Sequence, residues 1–234
     1  MEDILYRGFK YLYRYNGWIV WNLFLAFIPL FISFLLFRKS WALKYFSTAS
    51  PAASLTASQR ASKPHRSAMW WVFFAVYAAF LPNAPYVLTD IIHLIQATWA
   101  TPSVWVITLF YIPLHLGAIT LGFEAYVISS INQGAYLRRI GLQKYIFAAE
   151  LLTHFLCSVG IYLGRFLRFN SWDLVTDPHN IILATLNDLT GKRPAIVVLA
   201  TAFILAIFYW IMKQVTIGLL LRARELRKGK HTFD

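Results

Sequence analysis

Six ionisable side chains stand inside or at the ends of long apolar runs of this sequence: Asp90, His93, His115, Glu124, Glu150 and His154. On insertion scales an Asp, Lys or Arg at the middle of a membrane helix costs about 2.5–3.5 kcal/mol, so each such group calls for a partner or a function. Asp90 and His93 are three residues apart and converge if the segment is helical. They can then work as an acid–base pair, with Asp90 orienting His93, or share a metal. Glu150 and His154 are four apart on one helical face, a spacing that serves a metal site and a plain hydrogen bond equally. Glu124 has no ionisable partner at helical spacing and reads as an interhelical contact, while an isolated His115 reads as a hydrogen-bonded core residue.

Two segments gather the remaining polar groups. FLPNAPYVLTDIIHL, Phe80 to Leu94, brings Asn83, Tyr86 and Thr89 close to Asp90 and His93. GRFLRFNSWD, Gly164 to Asp173, brings Arg165 and Arg168 beside Asn170 and Asp173. Arginine presents a planar, bidentate donor set, so the second segment suits a phosphate or carboxylate. Asn83, Tyr86, Thr89, Arg165, Arg168, Asn170 and Asp173 are the expected ligand-binding residues, Asp90 and His93 the expected catalytic pair, and Glu150 and His154 the metal candidates.

These groups are held in a chain of unusual composition. Of its 234 residues 59% are hydrophobic and only 14% charged, where about 25% charged is ordinary for a soluble domain. The mean hydropathy of +0.54 points to a bilayer as the main solvent. Trp18 to Phe37 is a run of twenty residues without a charge, about 30 Å of helix and one hydrocarbon thickness. Further runs cover 69–89, 103–130, 145–164 and 194–212, which predicts an all-α integral membrane bundle of about five helices in a single domain. Pro82 and Pro85 interrupt the second run, which must kink or re-enter; the carbonyls they free need other donors, with Asn83 and Thr89 at hand. Gly160 and Gly164 give the fourth run a GxxxG spacing that lets another helix approach closely.

Lysine and arginine set the orientation. Fifteen of the 22 lie after the first and third runs and in the tail, and seven on the other side. That asymmetry places the N-terminus outside and the C-terminus in the cytoplasm. Residues 38–68 then form a cytoplasmic loop, flexible by composition because twelve of the sixteen residues 47–62 are Ser, Ala or Thr. Residues 1–17 suit an interfacial segment, 165–193 form an outer loop in which Asp177–Pro178 marks a turn, and 213–234 a basic cytoplasmic tail. The net charge of +12 is explained by basic clusters beside cytoplasmic span ends, where anionic membrane lipids are the expected partners and nucleic acid is not. Tryptophans 70, 71, 99, 105, 172 and 210 read mainly as interface anchors.

Well-marked chemistries are missing from the sequence. It has no glycine-rich phosphate loop, HExxH or GxSxG motif, and the single Cys157 cannot build a cysteine-rich metal site. The cofactor is unknown from the sequence. Three readings stay open: an outer-surface site that binds or acts on an anionic lipid or small anion, a non-enzymatic subunit or assembly factor with membrane-protein partners, and an ion- or proton-coupled transporter.

Through WNLFLAFIPL (Trp21 to Leu30), FLPNAPYVLTDIIHL and GRFLRFNSWD, the chain resembles a family of uncharacterised bacterial membrane proteins, a domain of unknown function associated with cyanobacteria and some Gram-positive bacteria. The resemblance covers most of the chain. It implies a multi-pass protein of a bacterial inner or thylakoid membrane and supplies no catalytic residues.

Overall fold

The structure is a computed structural model and describes residues 2–38, 66–100 and 103–227. Among the described residues it is helical, with no β-strand. Five helices are long and apolar enough to cross a membrane: Gly17–Arg38, Ala68–Trp99, Val104–Arg139, Gln143–Arg165 and Lys192–Ala223, here spans 1 to 5. The expected five-helix bundle is therefore present. The expected loop at 38–68 lies mostly outside the described residues.

Consecutive spans run in opposite directions. Gly17, Trp99, Val104, Arg165 and Lys192 mark one end, called upper below, and Arg38, Ala68, Arg139 and Gln143 the lower one. Contacts fix this pairing, because Trp18 packs on His93 and His115 at the upper end while Arg38 Nε donates to Asn132 Oδ1, 2.7 Å, at the lower. The core lies where spans 1, 2 and 3 meet and runs on to spans 4 and 5 through Cys157, Ile161, Leu205 and Tyr209.

Span 2 departs most from its expected extent. It does not stop at Thr89 but runs to Trp99, because its two prolines are absorbed by short helical pieces rather than ending it. Ser67 caps its start by accepting from the Trp70 N–H, 3.3 Å. At the prolines the Ala84 N–H turns to the Leu81 carbonyl, 3.2 Å, so the Phe80 carbonyl takes the Asn83 side-chain amide instead, 3.0 Å. The Thr89 hydroxyl likewise donates to the Tyr86 carbonyl, 2.7 Å. A 3-10 turn, Val87–Asp90, then leads into the helix Ile91–Ala100, which leaves Asp90 and His93 within the span.

Glycines set how closely the helices meet. A Cβ on Gly160 would stand 2.6 Å from Pro82 Cβ, and one on Gly122 2.9 Å from Val87 Cγ2, so spans 3 and 4 both approach the kink of span 2 where only glycine fits. The GxxxG pair thus serves contact inside the chain, with Gly164 against the Tyr86 ring.

Other elements are more ordered than their composition suggests. The first helix starts at Glu2 and continues into span 1 without a break. The 165–193 segment carries a helix, Pro178–Leu189, with Asp177 as its N-cap and Pro178 in its first turn, so the Asp-Pro pair starts a helix rather than merely turning the chain. The Tyr162 hydroxyl ties that helix to span 4 by donating to Asp188 Oδ2, 3.2 Å. At the lower end Trp70 is a core residue rather than an interface anchor, stacked on Phe74 with the Arg66 guanidinium 4.4 Å from its ring centroid.

Candidate functional site

A cavity of about 800 Å³ runs between spans 2 and 4 and is closed on one side by span 1. Its long walls are apolar, with Phe74, Ala75 and Ala78 from span 2 and Leu152, Leu156 and Val159 from span 4. Its upper mouth is polar, built by Asn83 and Tyr86 from span 2, Asn22 from span 1, and Arg168, Asn170, Ser171 and Trp172 from the segment after span 4. Four of the expected ligand-binding residues, Asn83, Tyr86, Arg168 and Asn170, therefore meet at one opening.

The chain end of span 4 explains how Arg168 reaches it. The helix stops at Arg165, and Arg168 adopts a left-handed backbone with φ +61°, after which the Phe169 N–H donates to the Leu163 carbonyl, 3.1 Å, and closes the helix end. Glycine is the usual residue in that conformation, so an arginine there is held at some backbone cost. It is exposed and has no hydrogen-bond or ion-pair partner among the described residues.

The two arginines do different work. Arg165 turns inward, where Nη2 donates to the Thr89 carbonyl, 2.8 Å, and Nη1 reaches the Tyr86 hydroxyl, 3.5 Å, with the guanidinium over the Tyr86 ring. It binds the two span ends and fixes the tyrosine at the mouth. Asp173 accepts from the Asn170 backbone N–H, 2.6 Å, and so shapes the loop that carries Asn170. Asn83 donates to Ser171 Oγ, 2.8 Å, joining the kink of span 2 to that same loop. Thr89, Arg165 and Asp173 support the opening without lining it.

Asp90 and His93 do not line the cavity and turn to span 1 rather than to each other. Asp90 is 3% exposed and accepts from Asn22 Nδ2 through Oδ2, 3.0 Å. Its Oδ1 is buried without a hydrogen-bond partner among the described residues. His93 lies against Trp18, 4.8 Å between ring centroids. Asn22 is the link between the two regions, since it binds Asp90 and also lines the cavity.

The metal candidates take different hydrogen-bond partners. Glu150 Oε1 accepts from Lys213 Nζ at 2.5 Å and from the Tyr209 hydroxyl at 2.8 Å, both on span 5. The His154 Nδ1 is hydrogen-bonded to the Tyr126 hydroxyl of span 3. Among the described residues no three His, Cys, Asp or Glu side chains cluster to hold a metal. Glu124 makes the expected interhelical contact, accepting from Thr216 Oγ1 at 2.7 Å, and His115 Nδ1 is paired with the Tyr111 carbonyl at 2.9 Å.

Sequence reasoning passed over Asn22, Ser171, Gln133 and Thr153, all of which line the cavity. Asn22 carried a signal, as an amide four residues after Trp18 in a run without charges. Lys213 carried one too, because Tyr209, Lys213 and Thr216 recur at helical spacing and form one polar stripe on span 5.

Fold and site together define a multi-pass helical membrane protein with a polar-mouthed groove between two of its spans. Residues 21–207 match the family model described as "Protein of unknown function (DUF1361)", and the chain belongs to that family. No curated protein and no solved structure matches it.

Proposed function

We propose that this protein binds an anionic amphiphile in the groove between spans 2 and 4, with the head group at Arg168 and the apolar part along the walls. The observation that carries this reading is the pairing at the mouth of an exposed guanidinium, without a carboxylate partner among the described residues, with apolar walls leading away from it. Arginine is suited to a phosphate or carboxylate because its planar fork donates two parallel hydrogen bonds. Asn83, Tyr86, Asn170 and Ser171 supply further polar contact, while Arg165 and Asp173 hold these groups in place.

Asp90 and His93 act here as positioning residues rather than a catalytic pair. Asp90 holds Asn22 at the groove wall, and His93 packs span 2 on Trp18. The lysine and arginine distribution supports a groove mouth at the outer surface, with the N-terminus outside and the C-terminus in the cytoplasm. A cysteine at the exposed Asn187, in a Cys157→Ser background, is then labelled from outside by an impermeant thiol reagent, and one at Glu225 is not; the reverse pattern inverts the topology.

Binding is tested on protein purified in mild detergent by native mass spectrometry against phosphatidylglycerol and phosphatidylcholine of identical chains. Wild type retains the anionic lipid preferentially. Arg168→Gly loses that preference with unchanged thermal unfolding, since glycine accepts the left-handed backbone. Equal retention of both lipids by wild type, or an unchanged preference in Arg168→Gly, overturns the reading.

A further inference from the structure

We infer that the groove is built for a single long apolar chain that crosses the bilayer midplane, the chemistry of a long-chain polyprenyl phosphate rather than of a two-chain phospholipid. This rests on the reading of the groove as an anionic-amphiphile site. The groove's length carries the inference. Its lining on span 4 runs from Gly164 down to Ala149, fifteen positions and about 22 Å of helix. One leaflet of hydrocarbon is about 15 Å deep, half of a core of about 30 Å. A lipid tail confined to one leaflet leaves the lower part of such a groove unfilled.

The lower end is a stop rather than a second head-group site. Its polar groups are spent on each other, with the Tyr77 hydroxyl donating to Gln133 Oε1, 3.2 Å, Gln133 Nε2 reaching Thr153 Oγ1, 3.5 Å, and the Thr153 hydroxyl donating to the Ala149 carbonyl, 2.7 Å. Nothing there asks a ligand for a second polar end. Among the described residues that line the groove, the cation is Arg168 at the upper mouth, so the fitting ligand has one anionic terminus and one continuous apolar chain. Pro82 and Gly160 bring spans 2 and 4 into close contact beside the groove.

The test compares three probes on the purified protein by native mass spectrometry: a long-chain polyprenyl monophosphate, farnesyl monophosphate with the same head on a short chain, and phosphatidylglycerol. Wild type is expected to retain the long-chain phosphate at least about tenfold better than either of the others, a difference of about 1.4 kcal/mol. Ala149→Trp blocks the lower end and is expected to remove that advantage while farnesyl phosphate still binds. Leu152→Trp is a second blocking variant from the lipid-facing wall for use if the first does not fold. Equal retention of long and short chains by wild type, or an advantage that survives a folded blocking variant, overturns the inference. If both phosphates bind equally and both are lost in Arg168→Gly, only the chain-length inference falls. If neither responds to Arg168→Gly, the underlying site reading falls with it.

Discussion

The polar groups between spans 3, 4 and 5 and those at the groove mouth are built on opposite plans. In the first region four pairs close across helices, Lys213 with Glu150, Tyr209 with Glu150, Tyr126 with His154, and Thr216 with Glu124, although Glu124 Oε2 and Ser130 Oγ are buried without a partner among the described residues. At the mouth Arg165, Asn83 and Asp173 are likewise engaged, but Arg168 beside them has no such partner among the described residues. Internal polar pairs in a membrane bundle hold helices together, because the alternative is an unpaired group in hydrocarbon. A side chain kept in a costly backbone state with no pairing task among the described residues is what the proposed anion site rests on.

The sharpest way to break this contrast is to unpair the first region. Lys213→Ala leaves the partly buried Glu150 carboxylate without its cation, and leaving such a charged acceptor without its partner costs about 1–3 kcal/mol. Thermal unfolding in detergent should fall accordingly, and Lys213→Met combined with Glu150→Gln should recover most of the loss; a stable single variant would mean that Glu150 is solvated. Next comes the helix contact under the mouth. Gly160→Ala drives a methyl into the rigid Pro82 ring and should cost about 1–3 kcal/mol by the same measurement. Gly17→Ala, with nothing within 4 Å of the added carbon, is its control and should not destabilise. Equal behaviour of the two would remove Gly160 from the packing argument.

Smaller effects sharpen the comparison. Thr216→Val takes one donor from Glu124 and should cost about 0.6 kcal/mol, the average for a hydrogen bond between membrane helices. Arg168→Gly should move stability by no more than about 0.5 kcal/mol while abolishing anion preference. A large loss of stability there would show that Arg168 is structural, and the difference between the two regions would vanish.

Much of the bundle was legible in the sequence, because apolar run length and the absence of charge are local properties. The kink at Pro82 and Pro85 was legible for the same reason, and so was the use of Asn83 to satisfy a freed carbonyl. Less legible were the limits of span 2: prolines read as breaks, yet neighbouring side chains and a 3-10 turn carried the helix on to Trp99. The site was only partly visible. Spacing along one helix put Glu150 and His154 on one face, but the hydrogen-bond partner of each came from another helix. Which face meets which helix is decided by packing of the whole bundle. Lys213 illustrates the difficulty, since by position it belongs to the basic tail and by contact it is the counter-ion of a carboxylate on another span.

The meeting of Pro82 and Gly160 has a mechanical consequence. It is a fulcrum placed off-centre, four residues below Gly164 at the mouth and eleven above Ala149 at the floor, along a helix whose rise is about 1.5 Å per residue. A scissoring of spans 2 and 4 about that point moves the floor almost three times as far as the mouth. The polar mouth with Arg168 therefore sits on the short arm of the lever, and the apolar walls near Ala149 and Leu152 sit on the long one.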